Sequence, residues 1–142
     1  MLRLDMNRSK TDLMNDMELL RIEKGLKTPF IELDPVRGVL TIEGRSIPED
    51  PEEFYGVVYN SMKDYYKSPQ ELTTFNFQFE YINSGSSKFI LRFFHLIKNH
   101  YDSGHDCLIN WYYEEDDENI LDLGQHYRDT FKLPFKFIEI YG

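Results

Sequence analysis

Cysteine is almost missing from this sequence. The single Cys107 among 142 residues excludes an internal disulfide and suits a reducing compartment, where a lone thiol behaves as a small buried apolar side chain. Positive charge is scarce too: the formal net charge is -9, so a nucleic-acid backbone or an anionic membrane is repelled unless a local basic patch opposes the global field, and no such patch is visible along the chain. No stretch approaches the roughly 20 apolar residues of a membrane span. The opening MLRLDMNRSK scatters charges where a secretory signal needs an unbroken apolar run, so the expected location is the cytoplasm. Neither G-x-G-x-x-G nor G-x-x-x-x-G-K-S/T occurs, which removes the usual cradle for nucleotide phosphates, and the absence of G-x-S-x-G removes the nucleophile elbow of a serine hydrolase. An enzyme is therefore not expected, and neither is a cofactor.

What is present is a chain long enough for one domain with its own core. Aromatic residues make up 15% of it, with ten Tyr and eleven Phe, so some rings are expected to face partners. Residues 1–27 mix dense charge with Leu13, Met14, Met17 and Leu20, a pattern compatible with one short amphipathic helix on an N-terminal arm. From Thr28 the texture changes. PFIEL, the turn DPVRG and VLTIEG predict a β-hairpin. Asp50, Pro51 and Glu53 then stand as cap, first-turn proline and third-position acid of a helix, followed by an apolar stripe of Phe54, Val57, Val58, Met62 and Tyr65.

LTTFNFQFEYI alternates strictly, with Phe75, Phe77, Phe79 and Tyr81 on one face and Thr74, Asn76, Gln78 and Glu80 on the other. A half-wet strand of this kind predicts a sheet covered by helices mainly on one face. Phe89, Ile90, Phe93, Phe94, Leu96, Ile97 and Tyr101 mark a second helix that stops at Gly104. CLINWYY reads as a strand, EEDDEN as an acidic connection, Ile120, Leu123, Gly124, Tyr127 and Phe131 as a third helix, and FKFIEI as a last strand. The order β-β-α-β-α-β-α-β predicts an α/β domain with a mixed, mostly parallel sheet, because each helical crossover returns the chain in the same direction.

Among residues that carry chemistry, His95, His100, His105 and His126 are dispersed. His100, His105 and Cys107 lie close in sequence without the spacing of a zinc site, so no metal is expected. The run Glu114 to Glu118 lacks the alternating ligands and glycine of a calcium loop and reads as a solvated connection that caps the third helix. The bend YINSGSSK is the remaining candidate. Ser84 or Ser86 would cap the second helix, with Gly85 permitting a tight turn. The same geometry suits a phosphate, which would meet free N–H groups and the positive end of the helix dipole, with Lys88 four residues beyond Ser84 as counter-charge. About two added negative charges would then alter partner binding without any catalytic residue in this chain.

The run Tyr81-Ile82-Asn83-Ser84-Gly85-Ser86-Ser87-Lys88, and the run Ile109-Asn110-Trp111-Tyr112-Tyr113 ahead of an acidic loop, resemble the hallmark segments of the SiaC family of bacterial regulatory phosphoproteins. The resemblance extends from about Thr28 to the C-terminus and leaves residues 1–27 outside. It implies a STAS-like domain, similar to anti-sigma-factor antagonists, with a phosphoacceptor hydroxyl at the start of a helix after a core strand. It further implies three partners: an anti-sigma-type Ser/Thr kinase, a PP2C-type phosphatase, and a diguanylate cyclase controlling biofilm formation that the unmodified form binds and activates. The family's acceptor is commonly threonine and falls by position on Ser84, with Ser86 and Ser87 as alternatives and Asn83, Gly85 and Lys88 in support. Gly85 stands where the family often has another hydroxyl. Tyr81, Trp111, Tyr112 and Tyr113 are the expected partner-binding aromatics, alternation sending Trp111 and Tyr113 to one face and Asn110 and Tyr112 to the other. Two rivals stand beside this switch: a constitutive binding or oligomerisation module in which the serines only cap, and a metal protein or enzyme built on the histidines and acidic loop.

Overall fold

The computed structural model describes residues 18–141. Its elements are β1 (Leu20–Ile22), β2 (Phe30–Asp34), β3 (Val39–Ser46), α1 (Pro51–Tyr65), β4 (Leu72–Ile82), α2 (Ser84–Asp102), β5 (Asp106–Glu114), α3 (Glu118–Phe131) and β6 (Phe135–Ile140). The six strands form one sheet in sequential order. β1, β2 and β3 are antiparallel, and β3 through β6 are parallel. Three crossovers of one hand, each stepping one strand in the same direction, place all three helices on the same face.

Alternation determines that face. Leu40, Ile42, Phe75, Phe77, Ile109 and Trp111 are buried under the helices, and the ring of Phe77 meets Phe94 of α2 edge-on at 5.6 Å. Burying each such side chain contributes about 1.5–3 kcal/mol. The other face carries Thr41, Asn76, Gln78 and Asn110, all half-buried. There Asn110 Nδ2 donates to Asn76 Oδ1 at 2.9 Å, and Asn76 Nδ2 reaches Thr41 Oγ1 at 3.5 Å, so the polar row pairs across three strands.

Two expectations change. Residues 20–22, assigned to the N-terminal arm, are a strand: the register Leu20 to Leu33 and Ile22 to Ile31 puts both apolar side chains on the covered face. Three residues are too few to display a period of two, and Leu20 also fits a helical spacing. Leu13, Met14 and Met17 lie outside the described residues. In α1 the buried stripe is Tyr55, Val58, Met62 and Tyr65, while Val57 is 51% exposed. Tyr55, two positions from Val57 and on a different face of the helix, is the residue that faces the sheet, and its hydroxyl finds buried partners there.

The expected helix signals are otherwise observed. Asp50 Oδ1 accepts from Glu53 N at 3.1 Å to start α1, and Asp117 Oδ1 accepts from Ile120 N at 3.1 Å to start α3. Gly104, at φ 100°, carries the chain out of α2 in a conformation that L side chains avoid.

Candidate functional site

The parallel strands β3, β4 and β5 end at the edge of the sheet where α1, α2 and α3 begin. Parallel α/β sheets commonly present their sites at this edge. α1 opens on Asp50 with Glu52 and Glu53 in its first turn, and α3 opens on Asp117 with Glu118. α2 differs: its cap is the neutral Asn83 and its first turn holds no acid.

The cap is thus Asn83, not Ser84 or Ser86. β4 stays extended through Asn83 (φ -82°, ψ 171°), and its side-chain oxygen accepts from Ser86 N at 2.8 Å. The helix starts one residue earlier than a serine cap requires. Ser84 becomes the first helical residue, exposed and without a side-chain partner among the described residues. With Ser86 N–H capped and Ser87 N–H bonded to Asn83 O at 3.0 Å, the N–H groups of Ser84 and Gly85 are the two at this terminus with no acceptor among the described residues.

Ser86 is fully buried, which removes it as an alternative acceptor in the folded chain. Its Oγ donates to Ser46 O at 3.1 Å and accepts from Ser46 Oγ at 2.9 Å. Tyr55 OH closes the chain by bonding Ser46 Oγ. The Ser46 carbonyl also accepts Asn83 N–H at 3.0 Å, so the end of β3 holds the bend from below. Burial pushes the Tyr55 phenol up to about 12, and its hydrogen bonds with Ser46 and Ser86 oppose that rise in part. Sequence reading missed Ser46 and Tyr55, because nothing local marks a serine 40 positions before its hydroxyl partner.

Ser87 is half-buried, its Oγ donating to Asn83 O at 3.2 Å. Gly85 needs no glycine-only backbone angle, since it is an ordinary helical residue. Its role is steric: a Cβ there would stand 3.0 Å from Cγ of Pro51, so the missing side chain lets the starts of α1 and α2 pack together. Lys88 is exposed one turn from Ser84 and pairs with no carboxylate among the described residues.

The expected aromatic surface divides. Tyr81 is 54% exposed at the end of β4. Trp111 belongs to the core and is withdrawn as a partner contact: it is 0% exposed, donates from Nε1 to Ile120 O at 2.9 Å, and sits where a Cβ on Gly124 would meet its Cδ1 at 2.5 Å. Tyr112 and Tyr113 are half-buried and line a small 90 Å³ cavity with Phe79 and Asp117.

The histidine cluster is a packing feature. His100 stacks on Tyr66 with centroids 3.8 Å apart, and its ring lies 5.6 Å from that of His105. Burial, then the neighbouring His105, lowers the His100 pKa. Burial pushes the nearby Cys107 thiol up to about 12, the opposite of what a metal ligand requires. No group of three His, Cys, Asp or Glu side chains able to hold a metal occurs among the described residues.

This architecture has close relatives. The family model described as SiaC family regulatory phosphoprotein matches residues 22–140. The chain belongs to the SiaC family. A relative from Pseudomonas aeruginosa strain UCBPP-PA14, described as an uncharacterized protein, is 25% identical over 119 residues, covering 84% of this chain and 94% of the relative. The crystal structure of apo-SiaC from Pseudomonas aeruginosa superposes with a TM-score of 0.79 at 25% identity, covering 86% of this chain and 99% of that one. SiaC from the same organism, in complex with the diguanylate cyclase SiaD that it activates, superposes with a TM-score of 0.81 at 24% identity, covering 85% and 99% of the two chains. Among the described residues no helix is long and apolar enough to cross a membrane.

Proposed function

We propose that this chain is a non-enzymatic signalling switch of the cytoplasm that is reversibly phosphorylated on Ser84 and whose unmodified form binds and activates a diguanylate cyclase. One observation carries the site assignment: at the first turn of α2 an exposed hydroxyl adjoins two backbone N–H groups without acceptors, at a terminus holding no acid of its own. A phosphate there gains charge-assisted hydrogen bonds and the favourable end of the helix dipole without unfolding anything. Ser86 and Ser87 lack that freedom, since their hydroxyls serve the fold. Family membership supports a phosphorylated regulator, and the SiaC–SiaD complex supports a cyclase as the regulated enzyme. An anti-sigma-type kinase and a PP2C-type phosphatase complete the cycle.

The test is phosphosite mapping by mass spectrometry on protein isolated under several growth conditions, with a phosphatase-treated control. Condition-dependent phosphate on Ser84 is expected. The Ser84→Ala protein should fold with stability within about 0.5 kcal/mol of wild type and lose phosphate at this peptide entirely. Phosphate confined to another residue, or none in any condition, ends the assignment.

A further inference from the structure

The expectation that no basic patch exists holds along the chain but not in space. From Ser84 to Tyr101, α2 contains Lys88, Arg92 and Lys98 and no carboxylate, in a chain of net charge -9. Ser84, Lys88, Leu91, Arg92 and His95 are all exposed. Their spacing of four, seven, eight and eleven residues from Ser84 lays them along one face of the helix. Leu91 is 39% exposed. On the adjoining flank of α1, Lys63 lies 5.9 Å from the Tyr59 ring centroid, and the Arg92 guanidinium lies 5.1 Å from the centroids of both Tyr59 and Phe89. The rings hold the guanidinium in place while leaving its hydrogen-bond donors free.

Elsewhere Arg21, Lys24, Lys27, Lys67, Lys98 and Arg128 pair with carboxylates, whereas Lys63, Lys88 and Arg92 have no such pair among the described residues. One step along this flank, Gly56 leaves open space, with nothing within 4 Å of where a Cβ would be. Glu52, a further turn toward the start of α1, is the acid on the same row.

The geometry points to the seam between α1 and α2, with Lys63, Lys88 and Arg92 flanking Tyr59 and Phe89, as the docking surface for an acidic amphipathic helix of the regulated partner. Two packed helices present ridges and a furrow that receive a third helix, and their backbone groups are satisfied internally, so recognition falls to side chains. The net negative charge of the chain repels an acidic partner from most of its surface, and the cationic furrow attracts it. Ser84 stands at the head of the stripe. A phosphate there adds negative charge where the partner's carboxylates arrive, which connects modification to release. This inference rests on the switch reading for its connection to Ser84 and on the furrow alone for its binding chemistry.

The probe is a synthetic 21-residue helical peptide with leucine on one face and glutamate on its flanks, beside a copy carrying lysine for glutamate. Titrated into the full 15N-labelled chain, the acidic peptide is expected to shift resonances of Tyr59, Lys63, Lys88, Phe89 and Arg92. It should bind at least about tenfold more tightly than the lysine copy. Arg92→Glu should weaken it about tenfold and Lys88→Glu severalfold. Arg92→Gln, which keeps most of the stem on the rings, should also weaken it, and Lys136→Glu on β6 should leave it unchanged. Shifts confined to the open sheet face or to the 550 Å³ groove between β1 and α1, equal binding of both peptides, indifference to Arg92 and Lys88, or binding only to vesicles of anionic phospholipid overturns the proposal. Failure of the two readings is separable. Absence of phosphate from Ser84 in cells ends the switch and leaves the peptide result standing, whereas absence of peptide binding to the unphosphorylated chain, with phosphate found on Ser84 in cells, ends the docking surface alone.

Discussion

Three helices begin at one edge of the sheet, and they begin differently. α1 and α3 are capped by Asp50 and Asp117 and carry acids in their first turns, so their positive ends are met by charges of their own. α2 is capped by neutral Asn83, its first turn is serine and glycine, and two of its N–H groups stay without acceptors. The same backbone dipole is closed at two positions and open at the third. An incoming charge therefore changes most at α2, which is also the helix that packs against both of the others. Its start is held from beneath by the Ser46, Ser86 and Tyr55 hydroxyls rather than by carboxylates on the surface.

The largest way to break this contrast is to ionise the buried hydroxyl chain. Tyr55 titrates at about 12 when folded against about 10 when unfolded, so folding favours its protonated form. The stabilisation is complete below pH 10 and is lost as pH rises through 12, by about 3 kcal/mol. Denaturant unfolding between pH 9 and 12 should show this loss, and Tyr55→Phe should remove that part of it while the other buried tyrosines keep theirs. Next come the caps. Asn83→Ala and Asp117→Ala should each cost about 1 kcal/mol in thermal or chemical unfolding. They should differ in function: Asn83→Ala slows phosphate transfer to Ser84, and Asp117→Ala leaves it unchanged, as a phosphorylation time course can read.

The smallest expected change in stability sharpens the contrast most. Asn83→Asp gives α2 the same kind of start as its neighbours and should alter unfolding by only a few tenths of a kcal/mol, since both residues cap well. On the protein phosphorylated at Ser84, a 31P titration should find the phosphate's second ionisation at higher pH in the variant, because the neighbouring carboxylate repels the dianion. An unchanged titration would mean that the neutral cap is incidental.

Much of the fold was legible. The Asp50 cap, the acidic run ahead of the third helix, the stop at Gly104 and the alternation of Phe75, Phe77 and Phe79 are local signals, and each predicted an element that is observed. The bend at 81–88 was legible as a helix start, though not which residue caps it, because Asn83, Ser84 and Ser86 all belong to residue types that cap. β1 was not legible: its three residues take their structure from a partner strand eleven or so positions away rather than from their own pattern.

By itself the sequence determined periods, caps and the surplus of negative charge, because these depend on neighbours within a turn or on composition. Only the tertiary structure decided which equivalent residues are free. It buried Ser86 and Trp111 by giving each a hydrogen-bond partner on another element, and it left Ser84 exposed beside two unpaired N–H groups. It also brought Arg92 of α2 to the ring of Tyr59 in α1, which Lys63 approaches as well. Such pairings span tens of residues, and no local spacing encodes them; they follow from the order in which the strands close the sheet.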